Sequence, residues 1–199
     1  MIYLPGDKVD VDQSKIDRIA IQKRDNSMYA TVVGTIDDRT YVPLEIAYRA
    51  KIGDNIVGFV VMKRSVGYFI DSGTAYTMIV LNRELQGELR MGNIISARIS
   101  RVEDDQTVIL NNVRRLKAGK IVEVPSSKVP RIIGKDASMI KLIKEKTNCD
   151  LFVGANGYVY ITDRDKNANV SKAIAAIRMI VRMSHLHSLT DIVEKFLGE

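Results

Sequence analysis

The chain has 199 residues, 46% hydrophobic and 27% charged, a balance that suits one large domain or two to three small ones and speaks against a disordered chain. Thirty basic and 24 acidic side chains leave a net charge of +6. A single cysteine, Cys149, excludes an intramolecular disulfide and any four-cysteine zinc site, and no apolar run approaches the roughly 18 residues of a membrane span.

The first segment, residues 1–50, shows short apolar alternations at Ile19-Ala20-Ile21, Tyr29–Val33 and Tyr41–Leu44. Turn-like clusters at Arg24–Ser27 and Asp37–Arg39 separate them, which predicts a small all-β unit. Asp7, Asp10 and Asp12 lack the glycine and distal glutamate of a calcium loop and read as a solvated turn. The opening MIYLPGDKVD has neither the basic region nor the apolar run of a signal peptide, and a cytoplasmic location is expected.

The second segment, residues 51–117, reads as five strands: Ile56–Met62, Val66–Asp71, Tyr76–Leu81, Asn93–Val102 and Gln106–Leu110. Five short strands with glycines at 53, 58, 67, 73, 87 and 92 fit a small closed barrel of the OB-fold type, whose open face binds single-stranded nucleic acid. The third segment, residues 118–199, reads β-α-α-β-β-α. A strand at Lys120–Val124 precedes a short helix capped by Ser126 or Ser127. An amphipathic helix follows from a Ser138 cap to about Lys146. Strands Cys149–Val153 and Tyr158–Thr162 are joined by the Asn-Gly turn Gly154–Gly157. A long helix from about Asn167 to Met183 and a last one over Leu186–Phe196 complete the chain. The fold class expected is therefore multi-domain, mainly β and then α+β.

The positive surplus lies in the later segments. Residues 1–50 carry 7 basic and 8 acidic side chains, residues 51–117 carry 10 and 7, and residues 118–199 carry 13 and 9. A basic surplus attracts polyanions, RNA foremost, and equally suits an ordinary solvated surface. The barrel cations group as Lys63-Arg64 at a hairpin, Arg83 and Arg90 in a long loop, Arg98 and Arg101 on the fourth strand, and Arg114-Arg115 with Lys117 after the last strand. Regular alternation places Arg98 and Arg101 on opposite faces. Enzymatic chemistry has little material: Glu103-Asp104-Asp105 are consecutive at a strand turn, and His185 and His187, two apart on a helix, point in different directions.

The sharpest motif is Val129–Lys144, VPRIIGKDASMIKLIK. A glycine loop between two helices, carrying Lys135, brings backbone N–H groups and a helix N-terminus to a phosphate, as the GxxG loop of a KH domain does. The fourth loop position here is Ala137, which resists the positive φ that glycine accepts.

The run KVPRIIGKDASMIKLIKEKTNCDLFVGANGYVYI resembles the KH domain of the archaeal exosome cap subunit that carries barrel and KH modules. Gly154, Asn156 and Gly157 match the GxNG turn of that family, where the turn helps fix the KH domain against the barrel; Asn156 is also suited to local hydrogen bonding. The barrel resembles the RNA-binding type of ribosomal protein S-one at Gly53-Asp54…Gly58, Gly67–Ile70 and Met91-Gly92-Asn93…Ile99, without the histidine common on its third strand. The resemblance implies base stacking by a second-strand aromatic, with Tyr68 outside and Phe69 inside. Pro5-Gly6-Asp7 and Val42-Pro43-Leu44 are similar to the family's ring-docking N-terminal domain.

What this resemblance implies is a non-catalytic cap subunit of the archaeal RNA exosome. Three copies would sit on a ring of RNase PH-like subunits and recruit single-stranded RNA through Lys63, Arg64, Tyr68, Arg83, Arg90, Arg98, Arg101, Arg114, Arg115 and Lys135. No cofactor, metal or membrane is implied. Related readings fail on arithmetic: the transcription factor with this barrel carries two KH units, the bacterial phosphorolytic enzyme a large catalytic region, and the other cap protein a zinc ribbon. A stand-alone RNA chaperone or translation-associated binder is the rival from another class.

Overall fold

The computed structural model describes residues 2–11, 20–25, 27–37, 39–43, 48–85, 87–184 and 188–198. They fall into two compact units, Met1–Ala47 and Tyr48–Glu199. In the first, β1 (Ile2–Tyr3), β5 (Gly34–Asp37) and β6 (Thr40–Pro43) form one antiparallel sheet. A second contains β2 (Lys8–Val9), β4 (Ser27–Ala30) and β3 (Ile21–Arg24). Val9, Val11, Ile21, Met28 and Tyr41, drawn from both sheets, belong to the core of this unit, and Tyr41 donates its hydroxyl hydrogen to Val32 O at 2.7 Å. The strand predicted over Tyr29–Val33 ends at Ala30, because Thr31–Val33 bend before β5 begins. Asp7 serves a turn: its carboxylate accepts from Leu4 N–H, and Gly6 takes φ +98°. Asp12, Ile19, Asn26, Asp38, Leu44, His185 and His187 lie outside the described residues.

The second unit holds the barrel and the KH module. The barrel strands are β7 (Asn55–Arg64), β8 (Gly67–Asp71), β9 (Thr77–Leu81), β10 (Ile94–Val102) and β11 (Thr107–Arg115), closed in the order β10-β11-β9-β8-β7. Within the barrel, β9 and β11 pair in parallel and the other neighbours antiparallel. Alternate residues such as Ile56, Val60, Ile70, Val80, Ile95, Ile99 and Leu110 fill the interior, as period-2 strands require. The last strand runs five residues past the predicted Leu110 end, across a bulge where Asn112 takes φ +48°. Arg114 and Arg115 therefore sit on the strand and not after it.

In the KH module, β12 (Lys120–Glu123), β14 (Tyr158–Asp163) and β13 (Cys149–Val153) form an antiparallel sheet in that order. One face is covered by α1 (Val129–Ile133), α2 (Ser138–Thr147), α3 (Val170–Arg182) and the additional α4 (Leu189–Gly198), around Ile132, Ile143, Ile161, Ile177 and Val193. Neither predicted serine cap forms. Lys128 precedes α1 without a side-chain cap, and Ser138 is the first residue of α2 behind an uncapped Ala137. Asn169 instead caps α3, accepting from Lys172 N–H at 2.9 Å, so that helix starts three residues after the predicted position. Among the described residues, no helix is long and apolar enough to cross a membrane.

The loop before α2 keeps its turn despite lacking the second glycine. Asp136 and Ala137 adopt φ +52° and +61°. Gly134, at φ +74°, leaves no room for a Cβ, which would stand 2.7 Å from Met139 N. Left-handed backbone costs an L-residue about 1–2 kcal/mol, part of which glycine returns through unfolded-state entropy. Ala137→Gly is therefore expected to stabilise the unit by roughly 0.5–1 kcal/mol, read from the urea midpoint. Gly134→Ala should lower it.

Candidate nucleic-acid interface

The turn Gly154–Gly157 joins the KH module to the barrel. Asn156 Oδ1 accepts from Val57 N–H at 3.1 Å, and its Nδ2 donates to Val57 O and Ser72 O, both at 2.8 Å. Ala155 N–H donates to Asn55 O at 2.8 Å. The asparagine thus bonds barrel backbone 99 and 84 residues away rather than its own turn. Both glycines are required by close approach: a Cβ on Gly154 would sit 2.8 Å from Val57 N, and one on Gly157 would meet Val124 O at 2.2 Å. Val57 points out of the barrel yet is fully buried, because this turn covers it. Burial, then the nearby carboxylates of Asp71 and Glu123, push the Tyr158 phenol above its ordinary range. The Tyr158 ring meets Phe59 edge-on at 6.2 Å.

With the two modules held this way, the predicted cations sort into groups. Arg83, Arg98 and Arg114 line one groove of about 760 Å³. Arg90 and Arg115 line a second of about 510 Å³, together with Lys117. Arg98 is steadied by donating Nε–H to Gly53 O at 3.0 Å. Arg101 leaves the groove and pairs with Glu103 at 2.6 Å. Arg98 and Arg101 are both exposed, contrary to strict alternation, because the register slips between Ile99 and Arg101 and Ser100 is the extra residue. Arg83 lies 3.6 Å from Glu84, whereas Arg90, Arg114 and Arg115 make no side-chain ion pair or hydrogen bond among the described residues. Lys135 is exposed in the KH loop, apart from these grooves.

The hairpin end of β7 and β8 forms a separate patch. Tyr68 is only 4% exposed and belongs to the barrel core, so its expected outward placement is corrected. Phe69 is the aromatic on the outer face. Asp71, which stays in solvent, shares the parity of Phe69, and Ile70, a core residue, neighbours both; this alternation was the available signal. A bulge near Val61 turns Lys63 to the Tyr68 side, with Nζ 5.4 Å from that ring, and leaves Arg64 5.4 Å from the Phe69 ring. Lys63 also donates to Glu88 at 2.9 Å, and that hydrogen bond and charge hold the Glu88 carboxyl below its usual range. The feature missed in the sequence is Phe152, which lines the larger groove from the KH side. Its neighbour Leu151 is core, so β alternation alone turned Phe152 outward, but nothing in the sequence placed it beside arginines of the barrel.

Truncating Asn156 leaves three buried backbone groups without partners. Asn156→Ala is expected to destabilise the 48–199 unit by roughly 2–4 kcal/mol in urea denaturation, well beyond a typical surface substitution.

Comparison with known proteins agrees with this architecture. The KH domain family model matches residues 119–179. Exosome complex component Rrp4 of Pyrococcus furiosus is 32% identical over 198 residues, covering 88% of this chain and 74% of the relative. The corresponding protein of Picrophilus torridus is 29% identical and covers 100% and 92%. A crystal structure assigned as an exosome complex RNA-binding protein superposes with a TM-score of 0.67 at 26% identity, covering 77% of this chain and 96% of that one. Identity of this level across three quarters of the relative's length exceeds what a shared KH module alone would give, and the chain belongs to the Rrp4 family of exosome complex components.

Proposed function

We propose that this chain is a non-catalytic, RNA-binding cap subunit of an archaeal RNA exosome. Three copies would stand on a ring of RNase PH-like subunits that carries out 3′→5′ phosphorolysis. The observation that carries the reading is the gathering of five barrel arginines into two neighbouring grooves of one body, three of them unpaired among the described residues. Unpaired guanidinium groups attract the phosphates of single-stranded RNA without reading its sequence, and Phe69 with Arg64 adds a stacking face. Family membership supports assembly into an exosome. Ile2 and Leu4, 66% and 57% exposed, support a docking role for the N-terminal unit. Avidity across three weak sites would raise RNA affinity without strong individual contacts.

Two measurements test the reading. Incubated alone with labelled RNA and phosphate, the chain should leave the RNA at full length; shortening by the pure chain would end the non-catalytic assignment. Pull-down from native extract should recover RNase PH-like subunits, whereas recovery of ribosomal or translation components alone would favour the rival RNA chaperone. For the surface itself, each phosphate contact contributes about 0.7 to the slope of log affinity against log salt. The pair Arg98→Gln and Arg114→Gln should flatten that slope by roughly 1.4. Phe69→Ala should weaken RNA binding by about 1–3 kcal/mol while leaving folding largely intact, and Tyr68→Ala should chiefly destabilise the barrel.

A further inference from the structure

The outer face of the KH sheet carries a cross-strand row, Ile121, Tyr160 and Phe152, opposite the face that packs on the helices. Tyr160 in the central strand is 4% exposed and donates its hydroxyl hydrogen to Lys117 O at 3.1 Å, so the linker covers it. Phe152 lies on the edge strand β13, remains half-buried and opens onto the groove of Arg83, Arg98 and Arg114. Asn55 and Asn112 line the same groove. Their side chains make no hydrogen bond among the described residues, and the left-handed bulge at Asn112 sets the position of the second.

We propose that this groove is a nucleotide-binding site shared by barrel and KH module, in which one base of single-stranded RNA stacks on Phe152 while the flanking phosphates pair with Arg83, Arg98 and Arg114. The inference rests on the RNA-binding reading above and adds a base platform to it. An aromatic ring and three guanidinium groups bordering one groove match the alternation of base and phosphate along a single strand. A volume of about 760 Å³ falls in the range of small-ligand clefts. The amides of Asn55 and Asn112 offer both donors and acceptors to a base edge. An acidic peptide would satisfy the arginines but would leave the ring without a flat partner.

The full chain contains no tryptophan, so Phe152→Trp places its one indole in the groove, which red-edge excitation selects over the eight tyrosines. Titration with a ten-nucleotide RNA should quench the emission of the F152W chain, whereas an abasic ribose-phosphate decamer should bind without quenching it. Phe152→Leu keeps apolar volume but removes the ring face. It should weaken anisotropy-measured RNA affinity about tenfold, leave affinity for the abasic decamer unchanged, and be rescued by Phe152→Tyr. Wild-type affinity of F152L, absence of quenching, or displacement of RNA by poly-glutamate as readily as by unlabelled RNA would overturn the groove assignment. Failure of the wild-type chain to bind RNA at all would instead overturn the functional reading beneath it.

Discussion

The buried amide of Asn156 is the constraint on which the rest of the second unit depends. Its oxygen and nitrogen are satisfied wholly by barrel backbone, at Val57 and Ser72. A buried amide is costly to leave unpaired, so the KH module has one strongly preferred seat on the barrel. The two glycines of the turn let that seat form, because neither position has space for a Cβ. Tyr160 and Thr162 reinforce it by donating to the linker carbonyls of Lys117 and Ala118. Two modules with separate cores thereby form one compact unit.

That rigidity lets weak contacts act together. Exposed arginines contribute little to stability and are free to meet a polyanion. What makes them useful is their arrangement: β10 supplies Arg98, β11 supplies Arg114, and the turn after β9 supplies Arg83, all around one opening. Gly53 takes part by accepting from Arg98 while presenting no Cβ to the guanidinium, whose Nη2 would stand 3.3 Å from one. Arg101 and Lys63 are instead occupied by Glu103 and Glu88, and so belong less to the attracting surface.

Local deviations from ideal geometry cluster where the surface is shaped. Bulges near Val61, Ser100 and Asn112 each shift strand parity by one residue. They bring Lys63 over Tyr68, expose Arg98 together with Arg101, and carry β11 on to Arg115. The strained loop at Asp136 and Ala137 retains the geometry of a two-glycine turn at some cost in stability.

In the barrel and the KH module the order of strands and helices, the Asn-Gly hairpin, the glycine loop and the basic bias were legible in the sequence, because each depends on periodicity or turn chemistry over a few neighbouring residues; in the first unit β1, β2 and β5 were not, being only two to four residues long. The inward side of Val66–Asp71 was also written there, in the shared parity of Phe69 and Asp71. Tertiary structure alone decided that Val57 is buried from outside the barrel, that the groups Asn156 bonds are the backbone of Val57 and Ser72, and that Phe152 lines one groove with Arg98 and Arg114. Periodicity reports which side of a strand faces its own core. It carries no information about a second module docking on the other side, or about where a bulge exchanges the two.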